Sequence, residues 1–218
     1  MIVSVKSIMA NIFDLFKQIS STDTAKNLSV KYIVAGLGNP GKEYSNTRHN
    51  AGFLAIDFIA ERKGVKIDRV KFGALTAVVD IGGVGVLLMK PQTYMNHSGD
   101  SVGEAARFYK LESQNIIVIS DDVNLDVGRL RVRKSGSAGG QKGLNDIIEK
   151  LGTDAIPRIR VGVGKKPHPD FDMKDWVLSC FTSTENETLS ALYPKVLLGV
   201  EKIVSGDVDG AMQVCNGK

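Results

Sequence analysis

The sequence predicts an α/β fold, a single domain built on a mixed β-sheet with helices on both faces. Three observations carry this reading. Short apolar runs alternate along the chain with longer segments of helical spacing. Two of the runs, residues 75–81 and 84–89, flank Gly82-Gly83, a hairpin signal that requires an antiparallel pair. The other runs are separated by helical segments, the spacing of crossover connections between parallel strands.

In chain order, residues 1–30 read as an appendage and residues 31–218 as the domain. Ile8, Ile12, Leu15, Phe16 and Ile19 share a helical face, so residues 7–19 are expected to form a short amphipathic helix that docks on the domain. Residues 20–29 then form a polar linker. Lys6, Asp14, Lys17, Asp23 and Lys26 interrupt the apolar stretches, which fits neither a secretory signal nor an Arg-rich transit peptide. The polar face is not strongly basic, which weakens a membrane-surface reading.

Residues 32–37 form a short apolar run ending at Gly36-Leu37-Gly38, the pattern of a buried strand. Ala51, Leu54, Ala55, Phe58, Ile59 and Arg62 follow helical spacing, with Gly64 as the stop. After the hairpin, residues 99–109 read as a helix and 116–120 as a second buried strand. Residues 129–134 alternate basic and apolar side chains, as a half-exposed strand does. Residues 143–151 read as a helix and 158–163 as a strand. Residues 185–205 read as a helix despite Pro194, and 207–215 as a last helix. There is no internal repeat and no low-complexity segment.

Composition narrows the class. With 43% hydrophobic and 24% charged residues, the chain is an ordinary globular one, not a disordered one. No run approaches the roughly 18 apolar residues of a transmembrane helix. Lys and Arg number 28 against 24 Asp and Glu, a net charge of +4. That balance is compatible with a polyanionic partner without naming one. Cys180 and Cys215 read as reduced thiols of a cytoplasmic protein, not as a disulfide framework or a metal site.

Four polar segments carry the chemistry. The first, residues 36–50, reads GLGNPGKEYSNTRHN. It lacks the spacing of a phosphate-binding P-loop, and Asn39-Pro40 interrupts a dinucleotide fingerprint. Pro40 also removes a backbone donor where a phosphate cradle needs one. The segment instead suits a tight turn holding Asn39 at the carboxyl end of a strand, where open α/β sheets place their sites. His49 falls just before a helix, with Asn50 as its expected cap. His97 and His168 read as structural or merely exposed.

A histidine base needs a partner that fixes its tautomer and favours its protonated form. Asp121 and Asp122, at the end of the second buried strand, are the candidates. They reach the same rim as Asn39 if the two strands run parallel, although Asp121 could equally cap a turn. The third segment, residues 91–99, offers Asn96, whose amide can donate to a substrate carbonyl or open the following helix as an Asx turn. Tyr94 and Met95 add apolar surface beside it. The fourth, residues 135–143, is a glycine-rich lip carrying Gln141 and Lys142. The set holds a His, a carboxylate and several amides, with no nucleophilic Ser motif, no metal-ligand cluster and no cofactor fingerprint. That suits a hydrolase in which His activates water.

GLGNPGKEYSNTRHNAG, KPQTYMNHSG, the Asp121-Asp122 pair and SAGGQKGLNDII, in this order, resemble the bacterial peptidyl-tRNA hydrolase family over nearly all of residues 31–218. The resemblance implies a three-layer α/β/α sandwich that is monomeric and needs no metal or cofactor. It implies hydrolysis of the ester joining a peptide to the 3′ end of tRNA, which recycles tRNA from prematurely released or stalled peptidyl-tRNA. The implied partners are peptidyl-tRNA and the stalled large ribosomal subunit, with no membrane. It makes His49 the proton acceptor and Asp121 its support. Asn39 becomes the residue that distinguishes a blocked peptidyl group from a free aminoacyl group. Tyr44, Tyr94, Asn96 and Lys142 fall at tRNA and peptide contact positions. The chain departs from the pattern at Gln141-Lys142, where many members show His-Asn, and residues 1–30 have no counterpart in the core family.

Arg129, Arg131 and Arg133 share one strand face by alternation. With Lys134, Arg158, Arg160 and Lys165 they are candidates for phosphate contacts, Arg131, Arg133 and Arg160 foremost. Two rival readings remain. A catalytically weak or silent RNA-binding relative would keep the basic face and lose the His or its carboxylate; an unrelated α/β enzyme would reuse the fold for nucleosides or peptides.

Overall fold

The structure, a computed structural model, describes residues 28–217 of the 218-residue chain. The helix expected over residues 7–19 lies outside the described residues, as does the linker except for Leu28 and Ser29. Among the described residues the order is β1 (Val30–Gly36), α1 (Ala51–Arg62), β2 (Arg69–Lys71), β3 (Ala74–Ile81), β4 (Val84–Pro91), α2 (Ser98–Tyr109) and β5 (Ile116–Asp122). There follow β6 (Leu130–Arg133), α3 (Lys142–Leu151), β7 (Arg158–Gly162), α4 (Met173–Leu178), α5 (Ser183–Val204) and α6 (Val208–Cys215). Single 3-10 turns at Lys42–Tyr44, Arg48–Asn50, Met95–His97 and Ser113–Asn115 join some of them. No helix among the described residues is long and apolar enough to cross a membrane.

The strands form one sheet in the order β2-β3-β4-β1-β5-β7-β6. The four central strands are parallel, and antiparallel pairs close both edges. The mixed sheet follows from the connections. The β3–β4 hairpin turns on Gly82 and Gly83, both left-handed (φ 62° and 82°), a backbone only glycine adopts without strain.

Alternation along the central strands divides the core in two. Val34, Ile117 and Ile119 face a cluster filled by α1, α5 and α6, including Ile56, Ile59, Val196 and Val200. Ile33, Ala35, Ile116 and Val118 face the opposite side, against Val102, Ala105, Leu144 and Ile147 of α2 and α3. The result is an α/β/α sandwich, as the sequence predicts. Burial of Leu189, Leu192, Val196 and Val200 carries α5 through Pro194 despite one missing backbone bond. Two elements escaped sequence reading. Strand β2 shows no alternation because Val70 is 76% exposed, and α4 has six residues with none buried.

From β1 the chain leaves toward the β2 edge with α1 on one face, whereas from the adjacent β4 it leaves toward the β6 edge with α2 on the other face. Their carboxyl ends therefore splay into a crevice. Helix α1 is seated against it by glycine-to-backbone contact. A Cβ on Gly52 would overlap the Ile119 carbonyl oxygen and the Leu37 nitrogen, and one on Gly36 would overlap the Gly52 carbonyl. Gly52→Ala should therefore push α1 off the sheet, lowering stability by about 2 kcal/mol or more, as overpacking against fixed backbone does. Urea denaturation checks this; an unchanged midpoint would mean that α1 slides without cost.

Candidate active site

The turn before α1 is held from both sides. Thr47 bridges Cys180, the Arg48 N–H donates to the Ser179 carbonyl (3.0 Å), and the Phe181 N–H donates to the Asn46 carbonyl (3.0 Å). The Arg48 side chain runs inward, 4% exposed. Its guanidinium donates to both oxygens of Glu185 (2.8 and 3.0 Å), to the Val163 carbonyl (3.0 Å) and to the Ser179 hydroxyl (3.1 Å). The same group lies 3.8 Å over the Trp176 ring. Burial by itself raises the Glu185 carboxyl, but the Arg48 bond and the Thr182 N–H and hydroxyl outweigh it and hold the group below its ordinary value. The Thr182 N–H bond, with the Glu185 N–H donating back to the Thr182 hydroxyl (3.3 Å), forms the capping box that starts α5.

With that turn fixed, His49 Nδ1 stands 2.9 Å from Asp121 Oδ2. Parallel pairing of β1 with β5 brings them to one rim, across 72 positions of sequence. The side chains are 14% and 3% exposed. A carboxylate only accepts, so it assigns the proton to Nδ1 and leaves Nε2 a lone pair. Nε2 has no hydrogen-bond partner among the described residues. Asp122 does different work: it accepts from the Asn124 N–H (3.0 Å) and pairs with Arg160 (2.8 Å). The turn-capping role thus falls to Asp122 rather than Asp121.

Asn50 does not cap α1 through its side chain, contrary to the sequence expectation. Its amide instead clasps the Asn39 backbone, accepting from the N–H (2.8 Å) and donating to the carbonyl (3.0 Å). The preceding 3-10 turn already continues into the helix, so its first N–H groups need no side-chain acceptor. The Asn39 Oδ1 accepts from the Met95 N–H (2.9 Å), which leaves its Nδ2 with no partner among the described residues.

These residues share a cleft of about 800 Å³. Asn39, Tyr44, His49, Tyr94, Asn96, Asp121, Lys142 and Arg160 all line it. Tyr94, at φ 57°, stands at the rim and is 57% exposed. Sequence reading missed the opposite wall, where α4 supplies Met173, Val177 and Leu178. The Asp172 cap that starts α4 is the signal that could have found it. It also missed the role of Arg48, whose partner is 137 residues away.

The basic residues divide. Leu130 and Val132 are buried, so Arg131 and Arg133 share the other face of edge strand β6, whereas Arg129 precedes the strand. Arg131 pairs in register with Arg160 near the cleft, whereas Arg133 pairs with Arg158 farther down the strand and does not line it. Lys134 pairs with Asp209 at 2.7 Å. Arg158 is corrected from the phosphate set: it is 2% exposed and donates to the carbonyls of Ile156, Gly136 and Asp154. Burial lowers its guanidinium from the ordinary value, as for a group out of reach of solvent and ligand.

A family model described as peptidyl-tRNA hydrolase matches residues 33–218. The chain is similar to the peptidyl-tRNA hydrolase of Caldicellulosiruptor bescii, 47% identical over 186 residues, 85% of this chain and 97% of that one. It is likewise 48% identical to that of Alkaliphilus metalliredigens over 187 residues, 85% of this chain and all of that one. A crystal structure of peptidyl-tRNA hydrolase from Acinetobacter baumannii superposes with a TM-score of 0.80 at 33% identity, covering 88% of this chain and 97% of that chain.

The Arg48 clamp gives a direct test. Glu185→Gln keeps the shape and removes the charge, and should cost about 2 kcal/mol at neutral pH. A carboxyl lowered from 4.5 contributes stability above that pH and loses it as pH falls through the lowered value. The gap between wild type and variant should therefore close on acidification below 4.5. Denaturant midpoints at neutral and acid pH check this; equal gaps at both would remove the ion pair as the cause.

Proposed function

The chain belongs to the peptidyl-tRNA hydrolase family, and from that premise we propose that it hydrolyses the ester between a peptide and the 3′ end of tRNA. The observation that carries this is the His49–Asp121 pair, 2.9 Å apart and opening onto the cleft. His49 Nε2 takes a proton from water, and the oxygen attacks the ester carbonyl. Asp121 holds the ring and stabilises the imidazolium that forms. The ribose hydroxyl leaves with the proton returned from His49. Asn39 Nδ2, fixed by the bond from Met95 to its carbonyl, is the oriented donor for the peptide and reads a blocked amino end against a free one. Asn96 and Lys142 contact the peptide and the tRNA end. Tyr44 and Tyr94 offer stacking surface to the bases or peptide.

Further parts of the reading concern the setting. Arg131 and Arg160 contact tRNA phosphates beside the cleft, with Arg133 extending the track along the sheet edge. Residues 31–218 carry the activity as a cytoplasmic monomer, and residues 1–30 are an appendage. The substrates are peptidyl-tRNAs released prematurely or held on stalled large ribosomal subunits. A silent RNA-binding relative is disfavoured because the base and its carboxylate are paired.

Two experiments test this. His49→Ala should lower kcat on N-blocked aminoacyl-tRNA by about 10²-fold or more with little change in tRNA binding. Asp121→Asn should lower kcat more than Asp122→Asn; a His49→Ala enzyme keeping more than about a tenth of wild-type kcat would falsify the base assignment. Separately, binding should weaken as salt rises, and Arg131→Ala with Arg133→Ala should flatten that slope by roughly 1 to 2. Salt-insensitive binding of the full-length substrate would sink the phosphate track.

A further inference from the structure

Gln141 stands at the N-cap of α3 with both ends of its amide committed. The Oε1 accepts from the Leu144 N–H at 2.7 Å, closing the first turn of the helix. That bond fixes the orientation of the amide, so Nε2 points toward the sheet. There it donates to Asp121 Oδ1 at 3.0 Å, with Met95 Sδ also at 3.0 Å. Asp121 therefore has each oxygen held separately, Oδ2 by His49 and Oδ1 by Gln141.

We propose that Gln141 is a positioning residue for Asp121, and that it ties the start of α3 to the orientation of His49. This rests on the reading of His49 as base. A carboxylate gripped at one oxygen only can swing about its own axis and carry the imidazole with it. Gripped at both, it presents Oδ2 along one direction. The charged groups nearby leave this task to Gln141. Asp122 on the same strand is occupied by Arg160 from β7, and Lys142, Asp172 and Lys174 line the cleft without bonding to Asp121. The amide keeps its donor at every pH, whereas a titrating side chain in its place would lose or gain one. The same helix turn carries Lys142 into the cleft, so substrate contact at α3 and alignment of the base move as one unit.

Two variants separate this from a plain helix cap. Gln141→Ser keeps a good cap but cannot reach Asp121. It should lower kcat on the order of 10-fold, as loss of an orienting partner does, with KM and melting temperature near wild type. Gln141→Glu keeps the shape and the cap acceptor. At low pH its carboxyl can donate to Asp121; as pH rises it ionises, two carboxylates face each other, and kcat should fall on the alkaline side where wild type does not. His49→Ala runs alongside: its inactivity upholds the base reading independently. With that variant inactive, wild-type kcat in Gln141→Ser or a wild-type pH profile in Gln141→Glu would overturn the proposal. If Gln141→Ser instead loses kcat and melting temperature together, the Gln141→Glu profile decides.

Discussion

A guanidinium held between an indole ring and a carboxylate sets where this cleft lies. Arg48 is buried, so its charge must be met, and Glu185 meets it with both oxygens while Trp176 covers its face. Each partner starts or forms an element: Glu185 closes the capping box of α5, and Trp176 belongs to α4. The neighbour of Arg48 in sequence is His49. One ion pair thus fixes the histidine turn, the apolar wall opposite it and the long helix that covers the sheet.

From that anchor the bonds run round the cleft. His49 holds Asp121, Asp121 holds Gln141, Gln141 touches Met95, and Met95 holds Asn39. Asn39 is clasped by Asn50, the residue after His49. Most of these bonds use backbone groups or buried side chains, which have few alternative positions. Such a network needs little rearrangement during a reaction because its dipoles are already aimed.

Most of the fold was legible because its elements follow periodicity. The helices over α1, α2, α3, α5 and α6 and the central strands show burial patterns that the sequence carries directly. Strand β2 and helix α4 bury little and leave no pattern. In the cleft, the grouping of His49, Asp121, Asn39 and Asn96 could be anticipated from segments that end at strand tips. The partners of Arg48 and Gln141 could not, because they are set by tertiary contacts 137 and 20 residues apart. Arg158 misled for the opposite reason: alternation places it on the basic face, and only three-dimensional burial removes it from solvent.

A chain that cleaves peptidyl-tRNA is itself a peptidyl-tRNA while the ribosome makes it. The separation of Arg48 from Glu185 sets the order in which the site can form. The histidine turn lacks its clamp until a residue 137 positions later has been added and α5 has begun to form. Of the 218 residues, the first 184, His49 and Asp121 among them, precede Glu185. The turn that carries His49 is thus completed by one of the later elements of the chain to be made.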